Sequence, residues 1–521
     1  MSRREKILIV QLFLFFTFIG LYLRLAGVGH SASYSINPAE ASYVLKIISP
    51  FRSLFQFHSF HSSPLFLFIN SLIVFISSFS FDLNTLLNKL DVDPAVIYLP
   101  LRYLSAFFSA GSVVIIYFIG SLFTATCGVL ASGFLAVSLL HVKFSGLIHP
   151  FSGVIFFLLL SLYFTLKFNY KLSFLFALLS SLMHYSGLIS ILPLLFVLAL
   201  KKEYVELKSV LGRFVFLSVI LNLFVVIDFV FLFPKILNSY FIGYNNYHLS
   251  SFLLYLFKYL WHGVGPVVWL SAVFSLLYLK NYDNLKIKVL FLIPIAYLAF
   301  IGLFHFTELG YAVLLVPFFC LASALFFSSF YREDNERKFI FILLVLFALW
   351  IPFKYSVKYN KLMSLPDTRT IASDWVKENV SDRMKIAWDK NSLQLNWQNA
   401  YDKKELKGLT GEAVLLLNRR NFPIEYDLLK KKDWFKFLRK KADYVVINSY
   451  DYELTLKQSG QIPKKKYYLK MLKQKPYMVF DPYLKDYDKK TKHSLPEELY
   501  SPFLSLWQRE RSGPVIKVYK I

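Results

Sequence analysis

The sequence predicts a polytopic α-helical membrane domain, with about 11–13 transmembrane helices, followed by a C-terminal soluble α/β domain. Three observations carry that expectation. The 521 residues are 56% hydrophobic and 19% aromatic with only 17% charged, and the mean hydropathy is +0.49, more apolar than a chain with a full polar coat can be. Apolar runs near the length of a bilayer crossing recur up to residue 353. Beyond that point charge gathers: residues 1–353 carry 23 Lys and Arg against 13 Asp and Glu, whereas residues 354–521 carry 35 against 20. The domain boundary is therefore expected between 353 and 354.

The chain opens with Ser2-Arg3-Arg4-Glu5-Lys6 and an apolar run from Ile7 to Leu23. That run is long, and no small-x-small cleavage pattern follows before Arg24, so it reads as an uncleaved first span. Its basic flank holds the N-terminus in the cytoplasm, which makes residues 27–63 the first external loop. Further apolar segments lie at 64–81, 97–122, 124–140, 150–166, 172–200, 209–233, 259–279, 287–303, 310–330 and 339–353, each suited to a full, short or tilted crossing. His184-Tyr185-Ser186-Gly187 interrupts 172–200, which is either one long helix or two short ones. Lys201-Lys202, Lys286 with Lys288, and Arg332 with Arg337-Lys338 mark cytoplasmic turns, so residues 354–521 emerge on the same outer side as the first loop. A chain with its N-terminus in and its C-terminus out crosses an odd number of times.

From Lys354 the pattern becomes that of a small α/β domain. Ile371–Val376 has helical spacing, whereas Lys385–Trp388, Ala413–Leu417, Tyr444–Ile447 and Val515–Tyr519 read as short strands. Asp433–Lys441 reads as a basic helix, the Lys/Tyr-rich stretch 464–492 as solvated loop, and Val515–Tyr519 as a half-buried closing strand.

Several function classes fall away. Only Cys127 and Cys320 are present, each inside an apolar segment, so there is no disulfide framework or CxxC redox motif. No ligand cluster has metal spacing, and neither a metal nor another cofactor is expected. The net charge of +25 comes without zinc-finger spacing, an RNA-binding aromatic motif or a phosphate loop, so no nucleic acid is expected. Membrane lipids with anionic headgroups, or an anionic envelope glycan, fit that charge better.

Ionisable groups near hydrocarbon are costly, which makes each one informative. Glu40 lies in Ile36-Asn37-Pro38-Ala39-Glu40-Ala41-Ser42-Tyr43, where Pro38 can open a short helix just outside the membrane; it reads as a general base or as an acid in a first helical turn. His58, His61 and Pro64 precede the second span, His61 being either solvated or a phosphate or proton ligand. Arg102, near one end of the third span, can hold a phosphate bidentately or snorkel to a headgroup. Asp228 lies deeper, and His305-Phe306-Thr307-Glu308 forms an external polar cluster or a plain turn. For His184 and Lys143, packing or interface roles are expected.

Together these residues resemble the GT-C superfamily of glycosyltransferases, in particular the branch of protein O-mannosyltransferases and lipid A aminoarabinose transferases that use polyprenyl-phosphate sugars. After a first outward span, members carry a Pro-Asp-Glu-Ala-x-Tyr-like motif, and Pro38-Ala39-Glu40-Ala41-Ser42-Tyr43 sits in that place. Their His-x-Pro-Leu is similar to His61-Ser62-Ser63-Pro64-Leu65 with one residue inserted. Arg102-Tyr103-Leu104-Ser105-Ala106 and Tyr117-Phe118-Ile119-Gly120 match an Arg-x-x-Ser-Ala and Tyr-x-x-Gly run. Late in the chain, Asp367-Thr368-Arg369, Ala442-Asp443-Tyr444-Val445-Val446 and Gly513-Pro514 match family features. Three positions depart: the usual catalytic aspartate falls on Ala39, a late arginine on Gly310 ahead of Tyr311 and Pro317, and a Ser-Arg pair on Ser145-Gly146.

The resemblance implies a membrane glycosyltransferase that moves a sugar, with inversion, from a polyprenyl-phosphate donor to an extracytoplasmic glycolipid, polysaccharide or protein. It implies Glu40 as catalytic base or acceptor-orienting acid, Arg102 as donor-phosphate or site-shaping cation, and His61, His305 and Glu308 as site lining. Apart from the resemblance, the basic N-terminus and the lack of a cleavage pattern point to the plasma membrane, as in a bacterial inner membrane, or to the equivalent topology in the endoplasmic reticulum. The alternative is a non-catalytic protein of the same fold, a transporter of lipid-linked glycans or an assembly partner.

Overall fold

The computed structural model describes residues 3–30, 40–41, 43–44, 46–48, 64–78, 94–221, 253–277, 285–302, 309–330, 335–381, 384, 386–389, 392–393, 442–457, 462–484 and 502–521. They fall into two compact units, Met1–Val28 with Pro38–Ser80 and Ile97–Asn360, and Gly29–Asn37 with Phe81–Val96 and Lys361–Ile521.

The first unit is a multi-pass membrane bundle. Among the described residues four helical stretches are long and apolar enough to cross a bilayer, the first three being Arg3–Leu25, Ala95–Ser121 and Leu309–Ser329. The fourth is Phe339–Asn379, where the Asn335–Ser364 helix continues past the expected end at 353 with Pro352 inside it. The pair Ala125–Val137 and Leu139–Ser145, bent by 60°, makes a fifth if taken as one span.

Breaks in the apolar segments have local causes. Ser138 is extended (ψ 118°), and its hydroxyl donates to Gly263 O at 2.9 Å, which turns the chain between the two halves of 125–145. The 172–200 segment is two helices, Tyr170–Met183 and Leu192–Leu200, joined by the 3-10 turn Tyr185–Ile191. There His184 is extended, and its Nδ1 accepts from Ser186 N at 3.3 Å, capping the new turn. The 259–279 segment is broken at Gly265, whose φ of +89° side-chain-bearing residues rarely adopt.

Arg24 belongs to the first helix rather than to the loop after it, and it is 1% exposed. Its guanidinium donates to Gly20 O, Leu135 O and Ala136 O at 2.7, 3.0 and 3.1 Å, and to Ser109 Oγ at 2.8 Å. Its Nη2 also reaches His141 Nδ1 at 2.7 Å. Two of these carbonyls end the Ala125–Val137 helix, where no further helical N–H serves them in full, so the arginine acts as a cap supplied from another helix.

The second unit contains a four-stranded sheet of β1 (Ile386–Trp388), β2 (Tyr444–Asn448), β3 (Met478–Phe480) and β4 (Ile516–Lys520), in the order β1-β2-β4-β3. β1 runs parallel to β2, with Ile386 opposite Tyr444, and the other pairings are antiparallel. Contrary to expectation, β4 is central and covered on both faces: Ile516 and Val518 pack with Ala372 and Val376, while Tyr519 packs with Tyr467, Tyr468 and Met471. The Thr368–Asn379 helix starts at Asp367, which accepts from Arg369 N at 2.9 Å. Stretch 464–492 is not all loop. The Ile462–Leu472 helix and β3 occupy much of it, because Tyr467, Tyr468 and Met471 share one apolar face despite the lysines around them. The expected strand 413–417 and helix 433–441 lie outside the described residues.

Candidate active site

Four backbone elements of the first unit meet at one buried ion pair. Glu40 lies in a short helical stretch of the first loop, Arg102 in the second turn of the Ala95–Ser121 helix, Val28 in the turn after the first helix, and Ile148 in the turn after Leu139–Ser145. Arg102 Nε donates to Glu40 Oε1 at 2.9 Å and Arg102 Nη2 to Glu40 Oε2 at 2.7 Å, a two-pronged pair. The Ile148 amide donates to Oε1 at 2.8 Å, and Arg102 Nη1 donates to Val28 O at 2.9 Å. The Tyr98 ring, one turn earlier on the arginine's own helix, lies 5.7 Å from the guanidinium carbon.

Burial makes this geometry consequential. Glu40 is 1% exposed and Arg102 3%, so both ions have left water and the pair must offset two desolvation penalties. The matched fork, the Ile148 amide bond on Glu40 and the Val28 carbonyl on Arg102 help make that tolerable. Oε1 has two donors and Oε2 one, which leaves one acceptor position on Oε2.

Next to Ile148 begins a chain of rings. His149 stacks on Phe151 at 4.3 Å and meets the edge of Tyr43 at 5.5 Å. Phe151 in turn meets His184 at 5.2 Å and Tyr311 at 5.6 Å, and the Tyr185 and Tyr311 hydroxyls are hydrogen-bonded to each other. Tyr185 is exposed, while Tyr43, His149 and Tyr311 are half-buried. These rings therefore run from the buried ion pair to the surface of the unit.

Of the residues singled out in the sequence, the fold brings Glu40 and Arg102 together. His61, His305 and Glu308 lie outside the described residues, as does Asp228. His184, expected in a packing or interface role, caps a turn and contacts the ring chain. His149 and the Ile148 amide were not foreseen. The His149-Pro150 step before an apolar run was a weak pointer to the first, and a backbone amide leaves no mark in sequence. No group of three metal-ligating side chains occurs among the described residues.

No protein-family model matches the sequence, and no curated protein matches it. Solved structures do. The archaeal oligosaccharyltransferase AglB from Archaeoglobus fulgidus, in complex with an inhibitory peptide and a dolichol-phosphate, is similar with a TM-score of 0.54 and 13% identity over 92% of this chain and 74% of that one. A second structure of the A. fulgidus oligosaccharyltransferase, with Zn and sulfate, gives 0.54 and 14% over 88% and 71%. ArnT from Cupriavidus metallidurans in the apo state gives 0.50 and 11% over 85% and 94%. The chain thus shares the fold of these solved structures, a helical membrane domain with a soluble domain.

Proposed function

We propose that the chain is an integral-membrane glycosyltransferase that takes a sugar from a polyprenyl-phosphate-linked donor and passes it, with inversion, to an extracytoplasmic glycolipid, polysaccharide or protein. The observation that carries this reading is the buried pairing of Glu40 with Arg102 and the Ile148 amide, within a fold shared with membrane glycosyltransferases. The donor's isoprenoid tail stays in the bilayer, so a bundle with a polar centre near its surface gives the sugar phosphate access without leaving the lipid.

The acceptor hydroxyl donates to the remaining position on Glu40 Oε2 and attacks the anomeric carbon. As the new C–O bond forms, the bond from that carbon to the phosphate oxygen breaks, the proton passes to Glu40, and polyprenyl phosphate departs. Arg102 holds the carboxylate in register and presents positive charge to the leaving phosphate. His61, His305 and Glu308 line the same site in this reading.

A second reading is favoured by one feature. Glu40 is fully enclosed, and Ala39 stands where the resembled family has its aspartate. On that ground the pair can be a clasp that fixes the first loop in a non-catalytic protein of the same fold, a lipid-linked-glycan transporter or assembly partner. The two readings separate in a strain lacking the protein, rescued with the native chain or with Glu40→Gln and analysed by mass spectrometry of envelope glycans. A sugar lost on deletion and restored by the native chain alone, at equal protein level, supports catalysis through Glu40. Equal rescue by Glu40→Gln removes Glu40 as the base.

A further inference from the structure

The Tyr204–Leu221 helix has two unlike faces. Val210, Phe214 and Ser218 are buried, the first two against Leu178, Leu194 and Leu198 of neighbouring helices. On the opposite side, Lys208, Leu211, Gly212, Val215, Phe216 and Ile220 recur at one-turn spacing and line a shallow, open groove of about 660 Å³. The surface is open at Gly212, where a Cβ would meet nothing within 4 Å.

We propose that this groove is a binding site for one anionic glycerophospholipid, with its phosphate at Lys208 and one acyl chain along Gly212 to Ile220. Length supports this: twelve residues of helix rise make about 18 Å, close to one leaflet of a hydrocarbon core of about 30 Å. Charge supports it as well. Lys201, Lys202 and Lys208 gather at the polar end against Glu203 and Glu206, all exposed, while beyond Arg213 the exposed positions are apolar. A second copy of the chain fits less well. Copies in one membrane share an orientation, so two-fold packing on this stripe sets Lys208 against Lys208. The site is independent of the catalytic reading.

The test is native mass spectrometry of the full chain, released from nanodiscs containing equal palmitoyl-oleoyl phosphatidylglycerol and phosphatidylcholine. The native chain is expected to retain one phosphatidylglycerol in preference to phosphatidylcholine. Lys208→Gln lowers that preference about two- to fivefold, the range an exposed ion pair allows. Gly212→Leu, which puts a side chain into the open space at the middle of the groove without touching the buried face, removes retention of both lipids. Lys171→Gln, on a different helix, leaves retention unchanged. Equal retention of the two lipids by the native chain, or native-like retention by Gly212→Leu, overturns the proposal. So does a disulfide-linked dimer of Gly212→Cys in native membranes, which would assign the groove to a second copy.

Discussion

Arg102 grips Glu40 from 62 residues away through two N–H···O bonds of 2.9 and 2.7 Å, with both side chains almost wholly removed from water. The contact ties the first loop to the Ala95–Ser121 helix, and the Ile148 amide extends the tie to the turn after Leu139–Ser145. One carboxylate therefore organises three distant stretches of chain.

Glu40→Gln keeps the size of the side chain, but its amide must turn a donor toward Arg102 in either orientation, and toward the Ile148 amide as well in one of them. Transferase activity is expected to fall by at least about a hundredfold, the scale of a lost positioned base, measured as sugar transferred per protein in membranes. Glu40→Asp retains the charge and loses one methylene of reach, so activity should fall less than with Glu40→Gln.

Arg102→Leu leaves an unpaired carboxylate in an apolar setting, which costs about 3–5 kcal/mol. Arg102→Leu combined with Glu40→Leu removes both ions together and should recover much of that stability without recovering activity. Thermal unfolding of the single and double variants in one detergent measures the coupling.

Arg24→Met should destabilise the bundle although no acidic group pairs with Arg24 among the described residues. The substitution strands the carbonyls that Arg24 serves at the end of the Ala125–Val137 helix, each worth about 1–3 kcal/mol when buried without a donor. Hydrogen exchange of amides around the Ser138 break should rise before that of the Tyr170–Met183 helix. Uniform protection in the variant would show that the cap does not hold the break.

Asp367 gives the second unit an acid-sensitive contact. Burial alone would raise its carboxyl, but Arg369, bonded to it at 2.7 and 2.8 Å, outweighs burial and holds the carboxyl below the usual carboxylate range. The folded value is thus depressed, so the stabilisation is complete above the unfolded value of about 3.9 and drains away as pH falls through the folded one. In the full-length protein, protection of the Thr368–Asn379 helix, corrected for intrinsic exchange, should be flat above about pH 5 and drop below about pH 4. Asp367→Asn should remove that acid step and lower stability at neutral pH by about 3–5 kcal/mol, since Arg369 is then buried without its anion.

Much of the fold was legible because apolar length and strand alternation are local signals. Three of the expected strands, at 385–388, 444–447 and 515–519, are β1, β2 and β4, and the interruption at 184–187 divides its segment as one alternative required. What stayed hidden depends on partners distant in sequence. Arg24 reads as the end of a span until Leu135 and Ala136 present their carbonyls, and Lys-rich 464–472 reads as loop until Tyr468 and Met471 find the face of the sheet. In the site, the chemistry of Glu40 and Arg102 was visible singly; their enclosure in one pair was not.

The most direct test of the central claim reconstitutes the purified chain into liposomes made with lipid extract from a strain that lacks it, adds that strain's envelope acceptor fraction, and follows polyprenyl lipids by mass spectrometry. A glycosyltransferase consumes one polyprenyl-phosphate sugar, releases a matching amount of polyprenyl phosphate, and does so only when acceptor is present. If every polyprenyl-phosphate sugar keeps its mass and amount, or only changes leaflet, the chain does not catalyse the transfer and the transporter or partner reading takes its place.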